Sequence, residues 1–361
     1  MGDREIELSQ PMSSSEPVDA KPAPHHNGAN HPEKLVTVRE CPKADRDIEI
    51  AYDTFGDASK PAVLLVMGMN AHMILWPDEF CVEIANRGFF VIRFDNRDCG
   101  RSTKLPHMPT PSICNLVCLP NCCAGKPGYT LEDFADDAVA LLDTLSVTKA
   151  HIVGQSMGGM IVQCIALKYP QRVLSMWSIF STPCGPAGND KRLVEPTLKV
   201  KLALGEKPKD DTRAEYQRNF RDMGKIAFFP PEHFDTYVSW IDDINGRIYD
   251  RGVYTEAITR HAATVVRQES RVEALKAAKF DFPVLVLHGA KDVLVDPSHG
   301  LLTHECIAGS VYVVVPDMAH SILPCHIGPI VDHWQRVCAP ATGAAVGTPK
   351  ADALPVAPPA A

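Results

Sequence analysis

Gly154-Gln155-Ser156-Met157-Gly158 sets a serine between two glycines, directly after the apolar run Ala150-His-Ile-Val153 and before an apolar-faced segment suited to a helix. A serine hydroxyl is a weak nucleophile until a base takes its proton, so its surroundings decide whether it reacts. On a sharp strand-to-helix turn the serine backbone is strained and its hydroxyl stands exposed. Glycines two residues to either side remove Cβ atoms that would collide there. Three fixed residues of about 7% frequency each would give the bare pattern by chance in roughly one chain in eight of this length. The strand before it and the helix after it are what lend it chemical meaning. The Met157 amide, in the first turn of that helix, then offers a donor and the positive end of the dipole to a developing oxyanion.

A serine of this kind needs a histidine base held in one tautomer by a carboxylate. With a strand–turn–helix nucleophile the chain order is serine, acid, histidine, the last two in loops after late strands. Asp292 follows the run Pro283-Val-Leu-Val-Leu-His-Gly-Ala-Lys, and His320 ends the loop Pro316-Asp-Met-Ala-His320 after Val311 to Val315. Asp292 and His320 are therefore the expected acid and base. Asp296 is an alternative acid one helical turn further on, whereas Asp317 precedes His320 too closely to orient its ring easily. His288, at a strand end, and His326 and His333, on the final helix, read as structural. The loop Met67-Gly68-Met69-Asn70 is expected to supply a second oxyanion donor, the Met69 N–H, with Gly68 permitting close backbone approach. In the turn Phe94-Asp-Asn-Arg-Asp-Cys-Gly-Arg-Ser102, Asp95, Arg97 and Ser102 are expected to pair locally and hold the loop under the site.

The elements that must position these residues show as short aliphatic runs alternating with longer amphipathic segments, the pattern of a mostly parallel sheet covered by helices. Strands are predicted at Leu35–Arg39, Ile48–Tyr52, Ala62–Val66, Phe89–Phe94, Ala150–Val153, Val173–Ile179, Val284–Leu287 and Val311–Val315, eight in all. Helices are predicted at about Asp78–Arg87, Leu131–Leu145, Met157–Lys168 and Ile322–Val337. The alternation stops in residues 182–268, a charged, helix-prone stretch expected to form an inserted helical cap. Within it Phe234, Tyr237, Trp240 and Ile241 share one helical face, suited either to lining a substrate pocket or to packing within the cap. The core is then 34–181 with 269–338. Residues 1–33 and 339–361, rich in Pro, Ala, Gly and polar residues, are expected to be disordered tails.

At 361 residues and 45% apolar composition the chain can bury a large core without metal or disulfide staples. A net charge of -8, from 36 basic and 44 acidic residues, with no basic block, argues against a nucleic-acid partner. The charged N-terminus lacks a signal-peptide run and no stretch of 18 apolar residues could span a bilayer, so a cytoplasmic protein is expected. Position 6 is Ile where N-myristoylation prefers Ser or Thr, which argues against acylation at Gly2. The 12 cysteines read mostly as free thiols. Cys114, Cys118, Cys122 and Cys123 crowd a Pro-containing insertion; without paired C-x-x-C units they read as free cysteines of a loop rather than a zinc site.

On these residues the chain resembles the α/β-hydrolase superfamily, and within it the esterases similar to aclacinomycin methylesterase. The resemblance rests on Trp76-Pro-Asp-Glu-Phe80, Val91-Ile-Arg-Phe-Asp-Asn-Arg-Asp-Cys-Gly-Arg-Ser-Thr103, Asp136-Asp-Ala-Val, the Ser156 motif and the loops bearing Asp292 and His320, and covers about Ile48 to Val337. It implies an α/β-hydrolase fold, an eight-stranded, mostly parallel sheet with helices on both faces and an inserted cap. The insertion from about Leu105 to Gly128 and the cap depart from the pattern, so methyl-ester specificity does not transfer. The expected activity is hydrolysis of a small or medium apolar carboxylic ester through an acyl-enzyme, without cofactor or metal. Alternatives are C–C bond hydrolysis or other chemistry by the same three residues, or a ligand-binding relative without catalysis. Asp in place of Ser156 would mark an epoxide hydrolase or dehalogenase, and a His-Gly-Gly-Pro-Gly loop a proline iminopeptidase; neither is present. No feature sets the oligomeric state.

Overall fold

β-Branched and aliphatic runs bounded by glycine and polar turns set the strands of this protein, and in the computed structural model, which describes residues 32–41, 46–110, 127–185 and 190–339, they assemble into one eight-stranded sheet. The strands are β1 (Lys34–Cys41), β2 (Arg46–Phe55), β3 (Ala62–Val66), β4 (Phe90–Phe94), β5 (Ala150–Gln155), β6 (Val173–Ile179), β7 (Val284–Gly289) and β8 (Val311–Val315). Their spatial order is β1-β2-β4-β3-β5-β6-β7-β8. The β1/β2 and β2/β4 pairs are antiparallel and every other pair is parallel. All eight predicted strands are present: β3, β6 and β8 with the predicted bounds, β1, β2, β5 and β7 longer by one to three residues at an end, and β4 shorter by one.

Helices cover both faces because alternate strand residues point to opposite sides. From β3, Leu64 and Val66 join a core with Phe134, Ala138 and Leu142 of α2 (Leu131–Thr144) and with Ile161 and Ile165 of α3 (Met157–Lys168). Val63 and Leu65 face the other way, into a core with Phe80 and Ile84 of α1 (Asp78–Asn86) and with Ile330, Val331 and Trp334 of the last helix (Pro324–Cys338). There Trp177 and Trp334 stack at 6.0 Å between ring centroids. Each aliphatic side chain fully buried in these layers contributes about 1.5–3 kcal/mol. Thr130 starts α2 with a reciprocal cap: its hydroxyl accepts from the Asp133 N–H while the Asp133 carboxylate accepts from the Thr130 N–H at 2.9 Å.

Between β6 and β7 lie α4 (Leu198–Leu204), α5 (Arg213–Ala227), α6 (Pro231–Arg251) and α7 (Ala257–Val266). Phe234, Trp240, Ile241, Ile244 and Ile248 of α6 pack with Phe229 on Met73, Ile74 and Leu323 of the core. The apolar stripe of α6 is thus spent on seating this segment. Two helices that periodicity did not reveal, α8 (Val272–Ala277) and α9 (Pro297–Cys306), are short and follow the segment and β7; the final helix is α10 (Pro324–Cys338).

No helix among the described residues is long and apolar enough to cross a membrane. Glu33, placed in the N-terminal tail by composition, is held in ion pairs with Arg101 and Arg251. Residues 1–31 of that tail, residues 340–361 of the other and the Cys114, Cys118, Cys122 and Cys123 cluster lie outside the described residues. The described cysteines with assigned side chains are free thiols, all buried except Cys325.

Candidate active site

Ser156 is the junction between β5 and α3, with φ 55° and ψ -122°, a conformation that an L-residue adopts only when its surroundings enforce it. The enforcing contacts are local and dense. The Ser156 N–H donates to Ile179 O at 3.0 Å, extending the β5/β6 ladder, and Ser156 O accepts from Gly159 N–H at 2.9 Å and from the Ser181 hydroxyl at 2.7 Å. A Cβ on Gly154 would run into Gly158 O, and one on Gly158 into Val66 O, so both glycines of the motif are required by close backbone approach. The Ser156 side chain is partly exposed and makes no cap to its own helix. As the first residue of α3, Met157 has an amide without an intrahelical acceptor.

The parallel register aligns the carboxyl ends of β5 to β8: Gln155 pairs with Ile179, Ile179 with Leu287, and Gly289 with Val315. Ser156, the β7 loop and the β8 loop therefore emerge on one edge of the sheet, the edge where open α/β sheets carry their sites. His320 Nδ1 and Asp292 Oδ2 are 2.7 Å apart, both side chains buried. The other carboxylate oxygen accepts the Leu294 and Val295 N–H groups, each at 2.9 Å. Burial pushes the Asp292 carboxyl up, but the His320 charge and the bonds from both histidines outweigh it and bring it down to about 2. Asp292 is thus ionised and takes the Nδ1–H of His320, which leaves Nε2 as the ring's free basic position. The Phe180 ring, one residue past the Ile179 carbonyl that holds Ser156, lies 4.6 Å from the His320 ring. Among the described residues no hydrogen bond joins Ser156 Oγ to His320; in free enzymes that contact often tightens only when substrate arrives.

The rivals have other employment. Asp296 caps α9 by accepting the Ser298 N–H at 2.9 Å, and Asp317 pairs with His233 at 3.1 Å. His288 is wholly buried, its Nε2 2.7 Å from Val295 O and 3.5 Å from Asp292 Oδ2, so it buttresses the acid. This second histidine beside Asp292 had no distinguishing signal in the sequence. On the other side of Ser156, a Cβ built on Gly68 would sit 3.2 Å from Ser156 Cβ and 3.7 Å from Oγ, which brings the Met67–Asn70 loop, with Met69, against the hydroxyl.

The expected local pairing of Asp95, Arg97 and Ser102 is corrected by the structure for Arg97. Asp95 and Ser102 do bond within the turn: the Ser102 hydroxyl donates to Asp95 O at 2.6 Å and Asp95 Oδ2 accepts the Arg101 N–H at 2.8 Å. Arg97 reaches Asp137 on α2 in a two-point contact of 2.6 and 2.7 Å, and Asp95 pairs with Arg251 at the end of α6 at 2.7 Å. A fully buried guanidinium needs a carboxylate in fork geometry, which a neighbouring turn residue cannot present.

Among the described residues His233, Cys325 and His326 bring potential metal-ligand atoms within 4.8 Å of one another. However, His326 Nδ1 accepts the Leu323 N–H at 3.2 Å, so the ring proton sits on Nε2, facing Asp317 Oδ1 at 3.8 Å. That tautomer is opposite to the one a metal on Nε2 requires.

Comparison with known proteins agrees with this fold. The family model described as alpha/beta hydrolase fold matches residues 61–324. Rhodomycin D methylesterase DauP of Streptomyces sp. (strain C5) is 26% identical over 296 residues, 76% of this chain and 90% of that protein. Rhodomycin D methylesterase DnrP of Streptomyces peucetius is 35% identical over a shorter stretch, 36% of this chain and 38% of its own length. The crystal structure of a hydrolase from Pseudomonas aeruginosa PA01 superposes with a TM-score of 0.57 at 25% identity, covering 81% of this chain and 92% of that one.

Proposed function

The chain belongs to the alpha/beta hydrolase fold family, and from that premise we propose that it is a serine hydrolase cleaving a carboxylic ester of a small or medium apolar substrate through an acyl-enzyme. The observation that carries the reading is the 2.7 Å contact between His320 Nδ1 and an ionised Asp292, on the same sheet edge as the left-handed Ser156. Ser156 Oγ attacks the ester carbonyl carbon while its proton passes to His320 Nε2. Asp292 holds the ring by Nδ1–H and stabilises the imidazolium. The carbonyl oxygen, now an oxyanion, is met by the Met69 and Met157 amides, a donor pair worth about 10²–10³-fold in rate per donor. Collapse breaks the C–O bond, and the alcohol leaves with the proton from His320. Water, deprotonated by His320, attacks the acyl-serine, releases the acid and restores the hydroxyl.

These steps draw on no cofactor or metal. An ester is favoured over other acyl substrates because both similar Streptomyces proteins are methylesterases. The methyl group is not carried over, since helices α4 to α7, read as the cap over the site, set the pocket. The core then comprises 34–181 and 269–338 with 182–268 as the cap, in a protein we read as cytoplasmic. The test is hydrolysis of p-nitrophenyl esters of increasing acyl length by the protein and by Ser156→Ala. Nitrophenol release that disappears in the variant supports the reading, and the optimal chain length reports the acyl pocket. Equal release by both proteins overturns it, and turnover confined to β-diketone substrates would point to C–C cleavage instead.

A further inference from the structure

We propose that His261, on α7, is a positioning residue that fixes the oxyanion loop Met67–Asn70 in its working shape; this rests on the reading of the Met69 amide as an oxyanion donor. His261 is fully buried. Its Nδ1 accepts the Asn70 N–H at 3.1 Å and its Nε2 donates to Arg97 O at 3.1 Å. The two contacts define one another. A backbone carbonyl can only accept, so the proton is on Nε2; a backbone N–H can only donate, so Nδ1 must present its lone pair.

The loop needs this help. Asn70 sits at φ 48°, a left-handed conformation held at a cost of about 1–3 kcal/mol unless a partner fixes it. At the loop's other end the Asn96 side-chain amide donates to Met67 O at 2.9 Å. The peptide planes on both sides of the Met69 N–H are thereby clamped, one by Asn96 and one by His261, and the amide between them has little freedom to turn away from Ser156. The ring is itself held edge-on by Tyr129 at 5.8 Å and Phe134 at 5.1 Å between centroids. Burial lowers its basicity to about 4, with Asp98 opposing and Arg260 and Arg97 adding to the effect, so the acceptor lone pair persists at neutral pH. Among the described residues no other side chain is bonded to the Asn70 N–H, and His261 comes from a helix of the segment between β6 and β7. Its placement joins that segment to the loop beside the nucleophile.

The two amide side chains separate the two halves of the ring. Asparagine places an acceptor near the Nδ1 position, whereas glutamine places its amide near Nε2 and leaves the Asn70 N–H unpaired. In the whole 361-residue chain, His261→Gln is expected to lower kcat on p-nitrophenyl esters about 10–100-fold with KM changed less than about 2-fold, and His261→Asn to recover most of that loss. A fluorophosphonate labelling Ser156 should slow in the Gln variant by a similar factor, because its attack also builds charge on oxygen. Equal labelling of wild type and both variants would overturn the proposal while leaving the serine-hydrolase reading intact. So would equal losses in Gln and Asn that track a fall in urea midpoint, which would mark a purely structural histidine. Absence of labelling in the wild type would instead remove the serine-hydrolase reading, and this proposal with it.

Discussion

Arg260 Nε stands 2.6 Å from Asp98 Oδ2, with both side chains buried. Arg260 belongs to α7 and Asp98 to the turn after β4, 162 residues earlier. The same carboxylate accepts the Tyr129 hydroxyl at 2.9 Å and the Leu105 N–H at 2.9 Å. It is one anchor of the inserted helices on the turn after β4, beside a second made by Arg251 with Asp95.

Removing the acid from that anchor should be severe. Asp98→Ala strands a buried guanidinium and two further donors, and a loss of about 3–5 kcal/mol is expected in urea unfolding. The double variant Asp98→Leu, Arg260→Met, which removes both charges, should recover part of it. A double variant no more stable than Asp98→Ala would show that the charge pairing is not the source of the cost.

Asp292→Asn should cut kcat on an ester by about 10⁴-fold while the protein stays folded. An asparagine Oδ1 can still accept the Leu294 and Val295 N–H groups, but its NH₂ would face His320 Nδ1 and force the proton onto Nε2, the nitrogen required as base. Steady-state kinetics with circular dichroism checks this, and a drop under about tenfold would remove Asp292 from the proposed role.

Gly158 and Gly328 should respond oppositely to alanine. A Cβ on Gly158 meets Val66 and Met67 carbonyl oxygens, so Gly158→Ala should cost about 1–3 kcal/mol or more and disturb the turn that carries Ser156. A Cβ on Gly328, within α10, meets nothing within 4 Å, and Gly328→Ala should gain about 0.4–1 kcal/mol by lowering unfolded-chain entropy. Thermal melts of the two variants decide the matter.

Acid should weaken the fold well before carboxylates titrate. Burial lowers His72, His151 and His261 each to about 4. Between that value and the unfolded 6.5 the unfolded chain binds protons that the native state does not, so stability is complete above about pH 6.5 and falls as pH drops toward 4. The slope is about 1.4 kcal/mol per pH unit for each histidine. Urea midpoints measured at pH 7.5 and 5.5 should therefore differ clearly; equal midpoints would mean that these rings are protonated in the native state or masked by compensating groups.

Much of the architecture was legible because it is written in short-range patterns. Short apolar runs such as Ala62–Val66 and Val311–Val315 cannot be mistaken for surface loops, and their alternation with amphipathic stretches implies a covered parallel sheet. α8 escaped because it spans only 6 residues, and α9 because it lacks an amphipathic stripe, so periodicity has little to register. The α6 stripe could be read as pocket or packing from its spacing alone. Its contacts with Met73, Ile74 and Leu323 exist only once the chain has folded back on itself.

Ser156, Asp292 and His320 could be nominated from sequence because each sits directly after a strand, and a parallel register sends all such loops to one edge. What sequence by itself determined about this protein is therefore the order of its elements, the turn geometry forced by Gly154 and Gly158, and the short list of residues able to react. The tertiary structure alone decided which side chains serve them: His288 behind Asp292, Arg97 on Asp137, Arg260 on Asp98 and His261 on Asn70. Those partners lie 4, 40, 162 and 191 residues apart. Even the near pair carries no periodic signal, because a buried polar group is matched by distance, direction and the absence of water, and these are defined only when the packed elements have excluded solvent from the space between them.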